Sequence, residues 1–279
     1  MRILLLISLF AVLGVSASGA SKCLEAGQNW SLTEDFVLSG ADALEIKGTK
    51  DKPCTVDGQF NRILTKDKWT GRIHATYCNF KNLGKKENVA NDRLQKDCES
   101  FVLHGAGASA IVFENCSFEF VNTFVIANHE QSMTRFVNNT IAENAINPCS
   151  KAAHLSRGIF EASGTSKEKK VFQGNRVYRG GCSFSAPNWL IGGEKDAESN
   201  IIIGVRAGVF AGGEGTLVRG NYIECNLRVT EEYPYWSQVS TVGTSCTTEH
   251  NVIRRGHWVV RGISGEFRHN LVMEPHGHN

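Results

Sequence analysis

The sequence predicts an all-β fold in which the chain winds on itself as a solenoid, and two recurring signals predict it. The first is an asparagine returning at one point of a repeated phrase: Gly174-Asn175-Arg176-Val177, Ser199-Asn200-Ile201-Ile202, Gly220-Asn221-Tyr222-Ile223, His250-Asn251-Val252-Ile253 and His269-Asn270-Leu271-Val272. Successive spacings are 25, 21, 30 and 19 residues, too short for helix-pair repeats and right for one coil built of strands. The second is a set of glycines, Gly193, Gly213, Gly243 and Gly262, standing seven or eight residues before Asn200, Asn221, Asn251 and Asn270. Four residues before those glycines come Trp189, Val209, Val239 and Trp258, bulky apolar side chains suited to the interior of a stacked coil. Each coil therefore reads as strand, Gly bend, strand, Asn turn, strand and variable loop.

From the N-terminus, Met1-Arg2 is followed by an apolar run from Ile3 to Val15 and a small, polar stretch over Ser16–Ala20. This pattern reads as a secretory signal peptide over residues 1–20, leaving one domain over 21–279. The apolar run is shorter than the roughly 18 residues that a span needs, so no membrane span is expected. Lys22 before Cys23 argues against a lipid-attachment signal. The early coils follow the plan loosely: Phe113–Phe118 and Arg135–Ile141 put Cys116 and Asn139 in register, and Tyr77–Phe80 extends it to Cys78. Larger gaps leave room for insertions such as Lys85–Arg93, where a short helix is expected if anywhere besides a cap near the mature N-terminus. The final Pro275–Asn279 stops in mid-coil, so a continuation that closes the solenoid is expected.

The phrases Gly-Asn-Arg-Val, Gly-Asn-Tyr-Ile and His-Asn-Val-Ile resemble coils of right-handed parallel β-helix proteins of the pectin-lyase-like superfamily, over roughly Ala43 to the end. The resemblance implies a right-handed parallel β-helix, for which roughly ten coils are expected, and asparagines stacked one coil apart, at about 4.8 Å, can hydrogen-bond along an internal ladder. It also implies a choice of activities, because the superfamily holds polysaccharide lyases, glycoside hydrolases, esterases and non-catalytic surface proteins. The compact Asp-Asp constellation of β-helix polygalacturonases is not found here. Nor are the Lys and Arg-His-Gly motifs of β-helix alginate and chondroitin lyases, although Arg268-His269-Asn270 is superficially similar.

A formal net charge of +2 selects no partner, and neither charge nor motif supports nucleic-acid binding. Nine cysteines in an exported chain lead to the expectation of some disulfides with at least one thiol left over. Cys78 and Cys116 are also expected as buried small residues of the repeat. No Cys-x-x-Cys pair points to zinc. Sequons begin at Asn29, Asn115 and Asn138. Two residues before the asparagines stand Glu198, Arg219, Glu249 and Arg268, alternating in sign as a surface salt-bridge ladder would.

Chemistry in a solenoid belongs where long loops rise beside short ones. After the Asn strands the connections read as long over Arg179–Asn188, short over Gly204–Gly208, long over Asn226–Gln238 and short over Arg254–His257. The low floor carries Arg206, with Arg254, Arg255 and His257 beyond it. Arg206, Glu214, Arg254 and His257 are the candidate catalytic residues. Tyr233, Tyr235, Trp236 and Arg255 are candidates for substrate binding, the flat rings serving either as sugar platforms or as loop anchors. Glu194 and Glu214, each ending a Gly-Gly-Glu, are expected on adjacent coils, either in solvent, sharing a proton or binding Ca²⁺. His250 and His269 are expected to stack as turn residues, with a metal cluster involving His276 and His278 as the rival reading.

Two functions of different class remain open at this point. One is a carbohydrate-active enzyme on an acidic polysaccharide, a lyase that neutralises a uronate and abstracts its neighbouring proton, or a hydrolase using paired carboxylates such as Glu231 and Glu232. The other is a non-catalytic carbohydrate-binding or surface-structural protein. The expected partner in both is a polysaccharide met by a monomer, with Ca²⁺ as the one cofactor considered.

Overall fold

A computed structural model describes residues 21–66, 68–84, 99–142, 159–178, 181–204, 208–225, 238–241, 245–255 and 265–274. Three sheets, two of ten strands and one of eight, are parallel throughout, and consecutive strands of the chain fall in different sheets. The chain is a parallel β-helix, wound in the right-handed sense that parallel crossovers adopt. Ten coils begin in sheet 1 with strands Lys22–Glu25, Ala43–Lys47, Arg72–Thr76, Ala110–Glu114, Met133–Val137, Lys170–Gln173, Trp189–Gly192, Leu217–Arg219, Thr247–Glu249 and Glu266–Arg268. Each continues into sheet 2, as in Cys78–Leu83, Thr140–Ile141, Ile201–Gly204, Tyr222–Cys225 and Val252–Arg254. Sheet 3 then closes the coil, as in Phe101–Gly105, Phe160–Gly164, Cys182–Phe184, Gly208–Ala211 and Gln238–Thr241.

Alternation of apolar and polar residues sets which side chains enter the coil. In Ala110–Glu114 the inward Ile111 and Phe113 are fully buried while their neighbours are half exposed. Because the strands are in register, inward side chains stack at the spacing of about 4.8 Å between strands. Phenylalanines exploit this: Phe101 lies on Phe124 at 4.6 Å, Phe80 on Phe118 at 5.1 Å, and Phe136 on Phe172 at 5.4 Å, all with near-parallel rings. T-shaped contacts such as Phe118 with Phe124 join these columns across the interior.

The corner from sheet 1 to sheet 2 holds the asparagines. Nδ2 of Asn139, Asn175, Asn200, Asn221 and Asn251 each donates to Oδ1 of the next, at 3.2, 3.0, 2.8, 2.8 and 2.9 Å. The same Oδ1 also accepts the backbone N–H of the preceding ladder residue, as Asn200 Oδ1 does from Asn175 at 2.9 Å. The second Nδ2 proton returns to the previous coil, from Asn200 to the Phe172 carbonyl at 2.8 Å. Residues just before the ladder take positive φ, from Asn138 at 54° to His250 and His269 at 54° and 52°, except Ser199, which ends the inserted turn at φ −69°. Gly174 and Gly220 occupy that position without strain, at 64° and 65°. Cys116 stands in the ladder register, its N–H donating to Asn139 Oδ1 at 2.9 Å. His250 and His269 stack as expected, 5.1 Å apart.

The glycine register differs from the sequence reading. Trp189 and Val209 are both buried, but Trp189 lies in sheet 1 opposite Lys170, whereas Val209 lies in sheet 3 between Cys182 and Val239. Residues 193–199, with a 3₁₀ turn at Asp196–Glu198, lengthen the corner before Asn200. Counting back from that asparagine therefore lands on a different corner. That turn is the helical element among the described residues; Lys85–Arg93 lies outside them, and the segment after residue 21 is strand. Trp258 and Gly262 also lie outside. Cys23, Cys54, Cys78, Cys116 and Cys182 are free thiols, four of them buried, so none of these five forms an expected disulfide, and the buried Cys246 donates its Sγ–H to the Gly213 carbonyl at 2.8 Å. Cys54 and Cys78 are register partners inside the coil, where they serve as small apolar residues. Burial pushes the Cys116 thiol up to about 12.

One inward position holds a charge. Lys170 is fully buried, and its ammonium donates to the carbonyls of Ser166, Glu168 and Pro187 at 2.7, 2.7 and 2.9 Å. Three acceptors match its three donors, while burial lowers its pKa to about 8.

Asn200→Ala removes a donor and an acceptor shared by three coils, leaving buried groups unmatched. It is expected to destabilise the protein by about 2–5 kcal/mol in denaturant titration. Between pH 8 and the ordinary lysine value near 10.4 the unfolded chain binds more protons at Lys170 than the folded one, so stability rises with pH there. Thermal midpoints at pH 7 and pH 9.5 should show the native protein gaining on Lys170→Met as pH rises.

Candidate functional site

Variation in the solenoid concentrates on the edge from sheet 2 to sheet 3. There the connections span residues 84–100 in the third coil, 142–159 in the fifth and 226–237 in the eighth. Between them stand short ones, 122–123, 178–181 and 205–207. The expected long connection over Arg179–Asn188 is not one, because sheet 3 takes Cys182–Phe184 from its middle. Among the coils from the third to the eighth, those with short connections are thus the fourth, sixth and seventh. On the outer face of sheet 3, Glu161, Ser183 and Phe210 are register partners in successive coils. Phe210 is 40 % exposed although it sits mid-strand between the inward Val209 and Ala211. At about 4.8 Å per strand, Glu161 and Phe210 are roughly 10 Å apart along the solenoid axis.

Beside this edge, the outer face of sheet 2 carries a charged cluster. Arg254 reaches Glu274 at 3.0 Å and Glu224 at 3.8 Å; Arg255 reaches the same two carboxylates at 3.0 and 3.4 Å. The Tyr222 hydroxyl donates to Glu224. Parallel register puts Glu224 opposite Arg254, and the left-handed Arg255, at φ 53°, turns the chain so that consecutive arginines share one pair of acids. Hydrogen bonds from Arg254 and Arg255 hold the Glu274 carboxyl below the usual carboxylate range. The bond to Glu224 raises the Tyr222 hydroxyl above its ordinary value. These arginines are fixed cations suited to anchoring or to neutralising an anion, not to accepting a proton.

The structure does not bring Glu194 and Glu214 together. Glu194 follows the sheet 1 strand Trp189–Gly192, at the asparagine corner, and pairs with Arg219. Glu214 lies before the next sheet 1 strand, at the opposite corner, where its carbonyl accepts the Asn188 N–H at 2.8 Å. Both are exposed. A four-residue strand, roughly 13 Å at 3.3 Å per residue, separates the two corners. No cluster of three or more His, Cys, Asp or Glu side chains suited to a metal occurs among the described residues.

The alternating charges form a ladder in part. Glu249 lies between Arg219 at 3.2 Å and Arg268 at 2.8 Å. Glu198 does not join: its Oε2 accepts the Glu194 N–H at 3.1 Å within the inserted turn, and Glu194 takes its place against Arg219. Arg206, His257, Tyr233, Tyr235 and Trp236 lie outside the described residues. The connection holding the three aromatic residues leaves sheet 2 at Cys225 and returns to sheet 3 at Gln238; that holding Arg206 joins Gly204 to Gly208. Phe210 and Glu161 were missed by the sequence reading. The signal for Phe210 was available in Gly208-Val209-Phe210-Ala211, where a strand alternation leaves a large ring on the outward position.

The sequence matches no protein-family model and no curated protein. Among solved structures, it is similar to an alginate lyase from Paenibacillus sp. str. FPU-7, with 10% sequence identity over 91% of this chain and 93% of that one. The TM-score of 0.22 is too low to carry an argument about activity.

The Arg268 hydrogen bond, with Arg219 on the other side, holds Glu249 below the ordinary glutamate value. Its contribution to stability is present above about pH 4.5 and is lost as pH falls through the lowered folded value. The difference in thermal midpoint between the native protein and Glu249→Gln should be constant from pH 7 to 5 and shrink toward pH 3.

Proposed function

We propose that the protein is an exported β-helix that binds an acidic polysaccharide along the outer face of sheet 3 and cleaves it as a polysaccharide lyase does. The observation that carries this reading is Phe210, an exposed ring that shares with Ser183 the two coils of short connection lying between the long connections of the fifth and eighth coils, and is in register with Glu161 of the fifth. An aromatic face next to hydroxyl and carboxylate groups offers a pyranose both stacking and hydrogen bonds. Parallel coils extend that face along the axis, as an extended polymer requires. The signal-peptide pattern read in residues 1–20 supports export, where such polymers are met.

In elimination, a base removes the proton beside a neutralised uronate carboxylate, and the glycosidic oxygen leaves from the neighbouring carbon. Arg206, in the connection just before the Phe210 strand, is the proposed neutralising cation. His257 is the proposed base, imidazole being the side chain best suited to accept a proton near neutral pH. Tyr233, Tyr235 and Trp236, in the connection of the eighth coil, are proposed to add further stacking surface. A second reading, binding without cleavage, is favoured by the state of Arg254 and Arg255, whose charges are already met by Glu224 and Glu274.

A screen against uronic-acid polysaccharides, with and without calcium, tests both. Absorbance of the unsaturated product and reducing ends should rise together. Phe210→Ala should weaken substrate binding by about tenfold, the loss expected from uncovering a stacked ring. Reducing ends alone would indicate hydrolysis; binding without either signal would establish the second reading. Absence of binding and of both signals would overturn the proposal.

A further inference from the structure

The outer face of sheet 1 carries an open groove of ≈ 710 Å³ over the sixth to eighth coils. Its volume lies within the range of small-ligand sites, about 300–1,000 Å³. The floor is apolar: Leu190 and Leu217 are register partners pointing outward, each half-buried. Trp189 also lines the groove and packs its ring in the core against Phe184. Its buried Nε1–H has no acceptor among the described residues.

The two ends differ in charge. At the asparagine corner, Arg219 is met by Glu194 and Glu249, and Glu198 is occupied by the N–H groups of Glu194 and Lys195. A Cβ on Gly193 would come within 2.2 Å of Glu198 Oε2, so glycine is what lets that carboxylate fold against the backbone. This end is closed by its own ion pairs. At the opposite corner, Lys167 and Lys169 are exposed and have no ion pair among the described residues. Their backbone is fixed: Asn188 Nδ2 donates to the Lys167 carbonyl at 2.6 Å, and the intervening Glu168 carbonyl holds the buried Lys170 ammonium. Two exposed lysines with no ion pair among the described residues, flanking the exposed Glu168 on a hydrogen-bonded corner beside an apolar floor one strand long, offer a cationic end to an anionic ligand.

We propose that this groove is a second carbohydrate site, separate from sheet 3, that takes a short oligosaccharide bearing carboxylates. Sugar C–H faces lie on Leu190 and Leu217, and the carboxylates meet Lys167 and Lys169. At roughly 13 Å along the strands the floor accommodates about two sugars. The ligand runs across the solenoid axis here, whereas a polymer on sheet 3 runs along it. Such a site would hold a uronate chain to the protein independently of any cleavage.

Calorimetric titration of the whole protein with a uronic-acid tetrasaccharide and with a neutral tetrasaccharide tests this, using Phe210→Ala as the background so that sheet 3 is weakened. In that background the acidic oligosaccharide should still bind and the neutral one should bind at least tenfold more weakly. Adding Lys167→Ala and Lys169→Ala should lower affinity for the acidic ligand by about tenfold or more, with the thermal midpoint unchanged because both side chains are exposed. Acidic-ligand affinity unchanged by the lysine substitutions, equal affinity for both ligands, or no binding in the Phe210→Ala background would overturn the second site. None of these outcomes bears on whether the native protein cleaves polymer, so the two proposals fail separately.

Discussion

Each inner ladder asparagine, from Asn175 to Asn251, distributes one side-chain amide over three coils. Its oxygen takes two N–H groups from the coil before, one proton goes to the asparagine of the coil after, and the other returns to the preceding strand, as Asn200 does with Asn175, Asn221 and Phe172. The turn from sheet 1 to sheet 2 would otherwise bury backbone groups with no partner, a cost of about 1–3 kcal/mol for each. The ladder removes that cost and fixes the register between coils. Register in turn decides which residues face in, because a slip of one residue exchanges the two faces of every strand. The stacked phenylalanines, the Glu249 ion pairs and the groove on sheet 1 all depend on that alignment.

With the corner fixed, the other two edges are free to vary. The sheet 2 to sheet 3 edge accepts connections from two residues at 122–123 to the long segment 142–159 without disturbing the stack. A solenoid can therefore alter its outer surfaces locally while neighbouring coils carry the stability. The interior shows the same separation: Phe80, Phe118, Phe136 and Phe172 form a column that belongs to no site. Outward residues such as Phe210, Leu190 and Leu217 carry what specificity the surface has.

Charge is handled by neighbours at the strand spacing. Glu249 between Arg219 and Arg268, and Glu224 and Glu274 between Arg254 and Arg255, are the same device on two sheets. Isolated pairs of this kind contribute little at the surface, but a column of them suppresses like-charge repulsion between coils. Lys167 and Lys169 stand apart from that pattern, and Lys170 departs from it by using backbone carbonyls instead of an acid.

The sequence by itself determined the solenoid, the ladder asparagines and the stacked histidines before them. From the fifth coil onward each coil places an amide at the same corner, and that placement repeats in the chain at nearly regular spacing. It also exposed the long connection before Gln238 and the short one before Gly208. Only the tertiary structure decided that Gly193 and Gly213 belong to different corners, that Glu194 replaces Glu198 against Arg219, and that Glu194 and Glu214 are held apart. Those outcomes turn on the seven-residue insertion at 193–199, whose length is visible but whose corner is not. The partners of Lys170 and the shape of the groove were likewise hidden. They are contacts between coils whose spacing in sequence varies with every loop, so no period in the chain records them.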